Sequence, residues 1–185
     1  MRRLLAVAVL ICLLAGCAGE ESLLSHAIKF RADLVQAGGC SFTAEITADY
    51  GDTVQIFTAT CETDATGVTR LTILKPETLT GITATVTDEG GTITYDGMEL
   101  EFGLLANGNV IPAAAPCLLV SCWSKAYIAS AGQEETRYRA SYQKDFDKKM
   151  LIVDTYFEKG IPICAEVCYN DSRILKIMIS EFSIH

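Results

Sequence analysis

From Cys40 onward the chain alternates apolar and polar residues with a period of two, and that alternation restricts most of it to β-sheet with one buried face. Phe42, Ala44, Ile46 and Ala48 interleave with Ser41, Thr43, Glu45, Thr47 and Asp49, and Asp49-Tyr50-Gly51-Asp52 then reverses the chain. Threonine and β-branched residues dominate segments near 53–61, 68–75, 82–88, 92–96 and 98–102. Asp64-Ala65-Thr66-Gly67, Pro76 to Gly81, Asp88-Glu89-Gly90-Gly91 and Asp96-Gly97 separate them as turns. Strand-like segments resume at about 135–146, 149–158, 161–169 and 173–184, with turns at Glu158-Lys159-Gly160 and Asn170-Asp171-Ser172. No β-α-β alternation is present to make parallel strands, so the expected class is α+β with one antiparallel sheet.

Two stretches keep a helical period instead. Leu23, Leu24, Ala27, Ile28, Leu34 and Val35 recur at helix spacing and are closed by Gly38-Gly39. Leu118, Leu119, Cys122, Trp123, Ala126 and Tyr127 form an apolar stripe opposite Ser121, Ser124 and Lys125, which predicts a second helix over roughly 116–131 with Pro116 in its first turn. Both helices are expected to cover the concave face of the sheet. Their stripe, with Phe102, is core in any small protein and cavity lining in a carrier; Leu119, Trp123, Ala126, Tyr127 and Phe102 are therefore the candidate lining residues.

The N-terminus is of another kind. Arg2 and Arg3 precede an apolar run from Leu4 to Leu14, too short to span a bilayer permanently and typical of a signal peptide. The run ends in Leu14-Ala15-Gly16-Cys17, which resembles the lipobox of bacterial lipoproteins. That resemblance implies cleavage before Cys17 and acylation of Cys17 by diacylglycerol and a palmitate-type chain, enough for stable anchoring. The expected organisation is thus a lipoprotein signal peptide over 1–16, a lipidated tether over 17–21 and one domain over 22–185. The partner implied is the membrane, on its extracytoplasmic side, reached through the lipid on Cys17.

Half the residues are hydrophobic and 21% are charged, which excludes a disordered chain. The net charge of −8 opposes a phosphate backbone, so no nucleic-acid partner is expected. Loss of Arg2 and Arg3 with the leader makes the balance more negative still, leaving the lipid rather than surface charge to hold the membrane.

Beyond Cys12 and Cys17, six cysteines remain: Cys40, Cys61, Cys117, Cys122, Cys164 and Cys168. If Tyr50-Gly51 is a two-residue hairpin loop, Cys40 faces Cys61 directly, within disulfide reach; two buried thiols are the alternative. Cys117 and Cys122 do not stack on a helix, and Cys164 and Cys168 lie about 13 Å apart along a strand. These four have the wrong spacing for a zinc ribbon or finger, and no metal or other cofactor is expected. His26 lacks an orienting third group for general-base work and reads as an exposed helix-face residue. Arg137 and Arg139 read as the solvent face of a strand. The acids Asp88, Glu89, Asp96, Glu99 and Glu101 are divided among turns and alternating positions, unlike a calcium loop. Nothing points to an enzyme.

Several stretches together resemble the LolA/LolB lipoprotein-carrier superfamily, in particular the LolA-like lipoproteins of Gram-positive anaerobes, which include a spore-germination lipoprotein. They are Leu74-Lys75-Pro76-Glu77-Thr78-Leu79-Thr80-Gly81-Ile82, Ile93-Thr94-Tyr95-Asp96-Gly97-Met98-Glu99-Leu100, Leu151-Ile152-Val153-Asp154, Gly160-Ile161-Pro162, Glu166-Val167, Arg173-Ile174-Leu175 and Ile179-Ser180-Glu181-Phe182. The resemblance implies a strongly curved, half-open antiparallel sheet of about ten strands, a half-barrel closed by helices around an apolar cavity that takes acyl chains. It also implies a lipid or lipoprotein cargo, or, as the alternative, a surface-anchored module that binds or regulates an envelope protein. An open tunnel above about 300 Å³ favours the first, and a packed interior with an exposed apolar or edge-strand patch favours the second.

Overall fold

The structure is a computed structural model that describes residues 18–169 and 172–185. The expected leader, Cys17 and most of the Asn170-Asp171-Ser172 turn lie outside the described residues. Helix α1 (Ala18–Ala37) runs through residues 18–21, expected as a tether, and ends at Gly38, whose φ of 93° and N–H bond to the Leu34 carbonyl form a left-handed helix stop.

The strands are β1 (Cys40–Asp49), β2 (Val54–Thr63), β3 (Thr69–Lys75), β4 (Thr83–Val86), β5 (Gly91–Tyr95) and β6 (Met98–Phe102), then a small hairpin of β7 (Leu105–Ala106) and β8 (Asn109–Val110). Helix α2 (Ala115–Lys125) follows, then β9 (Tyr127–Glu134), β10 (Arg137–Phe146), β11 (Lys149–Glu158), β12 (Ile161–Tyr169) and β13 (Ser172–Ile184). Eleven of these strands form one antiparallel sheet in the order β6-β5-β4-β3-β2-β1-β13-β12-β11-β10-β9. The sheet is two meanders joined where β1 pairs β13, with β6 and β9 as its free edges.

Alternation sets the faces as expected. On β1, Cys40, Phe42, Ala44, Ile46 and Ala48 are all buried, and across the strand pair Ala44, Ile46 and Ala48 oppose Ile179, Ile177 and Leu175. The outer face carries most of the polar residues together with Val54, Ile56, Met150 and Met178, and there Arg139 bridges Glu134 at 2.7 Å and Asp154 at 3.3 Å, in keeping with its reading as a solvent-face residue.

Two expectations about the helices change. On α1 the buried residues are Ala27, Phe30 and Leu34, while Leu24, Ile28 and Val35 point outward. Phe30 carries the helix onto the sheet, and the apolar residues spread over more than one face. Helix α2 stops at Lys125 instead of continuing to about 131, because Ala126 turns extended with ψ 158° and Ile128, Ala131 and Gly132 enter the ladder with β10. β-pairing overrides helix periodicity there.

Arg31 of α1 completes the C-terminus of α2. Its guanidinium donates to the carbonyls of Trp123 at 2.7 Å and Ala126 at 2.5 Å, groups that a helix end leaves without helical partners. The cation also favours the negative end of the helix and sits 5.8 Å from the centre of the Tyr142 ring. Arg31→Met should leave those carbonyls unpaired and lower the unfolding free energy by about 2 kcal/mol, by the usual worth of hydrogen bonds to a charged group. Urea denaturation measures it, and a change below about 0.5 kcal/mol, the scatter of ordinary surface substitutions, would show that water replaces the guanidinium.

Candidate functional site

The five residues expected to line a cavity do not border the cleft described below. Trp123 and Leu119 are fully buried, and the Trp123 ring meets Phe30, Phe182 and Phe42 at centroid distances of 5.5, 5.9 and 6.0 Å. Its indole N–H donates to the Thr155 hydroxyl at 2.9 Å, so the group is both packed and satisfied. Ala126 is buried at the end of α2, and Phe102 packs half-buried at the rim of the core. Tyr127 is 71% exposed as the first residue of β9. Where α2 meets the sheet the interior is filled.

The open space lies at one end of the sheet. A cleft of about 770 Å³ lies between one flank of α1, from Leu23 to Asp33, and the strand ends that antiparallel order gathers there: the beginnings of β10 and β12 and the ends of β11 and β13. Leu23, Phe30, Tyr138, Phe157, Ile161 and Phe182 make its apolar surface. The rings brace one another, with Phe30 edge-on to Phe157 at 5.0 Å, Tyr138 against Phe157 at 5.3 Å and Phe182 at 6.0 Å from Phe30. Ile161 is held half-exposed by the Lys159-Gly160 turn, whose φ values of 52° and 81° suit a tight hairpin.

The rim is polar and carries cations. His26, Lys29, Asp33, Gln133 and Lys159 surround the mouth, with Lys29 paired to Asp33 at 2.6 Å. His26 is exposed, as expected, yet its ring also stands edge-on to Tyr138 at 5.8 Å. Burial pushes the Tyr138 hydroxyl up to about 12, so the floor stays uncharged at neutral pH. The cleft therefore combines an apolar floor with a rim on which Lys29 is taken up by Asp33 and Lys159 adds a further ammonium group; it presents no thiol. Sequence reasoning missed Phe30, Tyr138, Phe157, Ile161 and Phe182. Phe30 carried no signal beyond a place on the helix, and the other four shared only an aromatic or aliphatic residue near a strand end, a pattern that also marks ordinary core.

The hairpin register differs from expectation. Tyr50 donates its N–H to the Thr53 carbonyl, and Asp49 accepts from the Gly51 N–H at 2.9 Å, so the loop has four residues and not two. Cys40 therefore opposes Thr63, and Cys61 opposes Phe42. A slip of two preserves the faces and changes the partners. The two cysteines are free, buried thiols, and the direct facing that motivated a Cys40–Cys61 disulfide is absent. Cys117 and Cys122 are buried on α2; Cys164 faces Met178, and Cys168 faces Ile152, both on the outer side of the sheet.

Burial raises all six thiols, Cys40 and Cys122 to about 12, the opposite of an activated nucleophile. Among the described residues no group of three or more His, Cys, Asp or Glu could hold a metal ion, and no helix is long and apolar enough to cross a membrane. The acids expected to be scattered are so: Asp88 is taken up by Lys125 at 3.1 Å and Lys144 at 3.5 Å, while Glu99 and Glu101 stand exposed on β6. Burial works against the Asp88 carboxylate, but Lys125, Lys144 and Ser121 outweigh it and hold its pKa below the ordinary range. Native protein at pH 8 should therefore react slowly with Ellman's reagent at all six positions, Cys168 first, and quickly in urea; a fast native thiol other than Cys168 would contradict this packing.

No family model matches the chain, and no curated protein matches it. Among solved structures, it is similar to a LolA superfamily protein from Nitrosomonas europaea at 6% identity, covering 86% of this chain and 93% of that one with a TM-score of 0.46. A putative outer membrane lipoprotein-sorting protein domain from Vibrio parahaemolyticus is similar at 8% identity, over 89% and 93% of the two chains, with a TM-score of 0.42. A DUF1329 family protein from Desulfovibrio piger is similar at 7% identity, over 88% and 92%, with a TM-score of 0.48. At TM-scores below 0.5 these likenesses carry no argument about what this chain does.

Proposed function

We propose that the protein is a non-enzymatic, lipid-anchored, extracytoplasmic protein of the LolA-like kind, its sheet a curved half-barrel, that holds an acyl chain or similar hydrophobic ligand. The cleft between α1 and the sheet end carries the reading. Its volume of about 770 Å³ falls in the range of small-ligand sites. Its aromatic floor and the Lys29 and Lys159 rim suit a chain with an anionic head. The site is thus shifted from the helix α2 stripe to the α1 side, next to the end of the chain where Cys17 would carry lipid. The leader over 1–16 and a lipidated Cys17 belong to the same reading, supported by the Leu-Ala-Gly-Cys sequence.

A fluorescent fatty acid titrated into the full chain tests the ligand. Ile161→Glu places a carboxylate in the cleft and should weaken uptake by at least about tenfold, or 1.4 kcal/mol, with the unfolding midpoint unchanged because Ile161 is half-exposed. Ala126→Trp, in the packed region, should instead leave uptake intact while lowering stability by about 1–3 kcal/mol. No uptake by the wild type would refute the reading. Separately, Cys17→Ala should move the protein from the membrane pellet to the soluble fraction of its host after a high-salt wash; retention in the pellet would refute the anchor.

The alternative, a protein-interaction module, draws on a different observation: the filled interior around Trp123 and an exposed apolar surface at the β6 edge.

A further inference from the structure

We propose that the β5–β6 hairpin is a docking site for a partner protein's extended segment that alternates basic and apolar residues and adds as a strand to the free edge of β6. The site is distinct from the acyl-chain cleft, and each can hold or fail without the other.

The hairpin pairs Ile93 with Leu100 and Tyr95 with Met98, placing four apolar side chains on the face that farther along the sheet becomes core through Ala84, Val86 and Leu71. The helices pack mainly on the rest of that face, α1 against β9, β10 and β13 and α2 against β2 and β10. At the hairpin Met98 and Leu100 are each 66% exposed and Tyr95 49%. Solitary exposed apolar residues need no explanation, but a contiguous apolar strand face does. Beside it, β6 has a neighbour on one side alone, so its outer row of backbone groups is free to pair.

Charge selects the occupant. From residue 76 to 124 the chain contains no Lys, Arg or His, while Glu77, Glu89, Asp96, Glu99 and Glu101 are all exposed and, among the described residues, make no ion pair. Glu99 and Glu101 project from the face of β6 opposite Met98 and Leu100. A strand added to β6 would meet carboxylates on one side and apolar groups on the other, which calls for Lys or Arg alternating with apolar residues. A second copy pairing edge to edge would set Glu99 and Glu101 against their own kind, and an anionic membrane surface would be repelled.

The test uses the full chain and a labelled synthetic peptide of alternating Lys and Val, about a dozen residues long, with a Glu–Val peptide as its counterpart. Fluorescence anisotropy should show saturable binding of the Lys–Val peptide alone, and hydrogen exchange should show new protection confined to β6. E99K with E101K should weaken binding about tenfold or more and flatten its salt dependence, since the attraction is between exposed charges. Met98→Thr with Leu100→Thr should weaken it comparably with the salt dependence kept. All four side chains are exposed, so the fold is retained; if a variant nevertheless unfolds, protection in the wild type decides. Equal binding of both peptides, protection at β9 in place of β6, or self-association or vesicle binding that the same Met98 and Leu100 substitutions abolish would overturn the proposal.

Discussion

The indole of Trp123, wedged between Phe30 of α1 and Phe42 of β1 and bonded to Thr155 of β11, is the contact on which the arrangement depends. It fixes the distance of both helices from the sheet at once. A large ring in the middle of the layer costs nothing in unsatisfied polarity because Thr155, itself fully buried, accepts its one donor. With Trp123 in place, Arg31 reaches the end of α2, and the exposed start of β9 follows directly. Removal of the ring would leave a void that its close-packed neighbours fill only in part.

A filled centre also explains why open space appears at an edge. The two helices share a single wedge, and α1 is held on the sheet by Ala27, Phe30 and Leu34 while its flank bearing Leu23, His26, Lys29 and Asp33 stands over the open strand ends. The cleft is the geometric remainder of that one-sided attachment. Its walls are two kinds of structure: strand ends fixed by the sheet, and a helix whose outward residues Leu24 and Ile28 are exposed.

Much of this was legible in the sequence, for physical reasons that also define what was not. Strands β6, β11 and β12 follow from period-two alternation between strong turn residues, and Gly38-Gly39 announces the end of α1. The stretch 127–134 misled because Tyr127, Ile128 and Ala131 suit a helix as well as a strand, and only pairing with β10 decides between them. The Cys40–Cys61 register failed on one loop: Asp49 caps a four-residue turn, a choice that Tyr50-Gly51 does not reveal. The cleft was hidden more deeply. Phe157 and Phe182 read as core by every local criterion, and their position at the open end is a property of how eleven strands are ordered.

That order has a consequence for assembly. Ten of the sheet's strand pairings exist, and all but one link strands that are near in sequence; the exception is β1 with β13, the first strand with the last. Local hairpins close quickly, whereas a pairing across most of the chain carries the full loop-closure entropy. The two meanders are therefore expected to form as separate halves and to be zipped together only when β13 is available. A chain delivered across a membrane from its N-terminus would remain unzipped until its last residues arrived. The final strand, rather than any local nucleus, would then set the moment at which the molecule becomes a single cooperative unit.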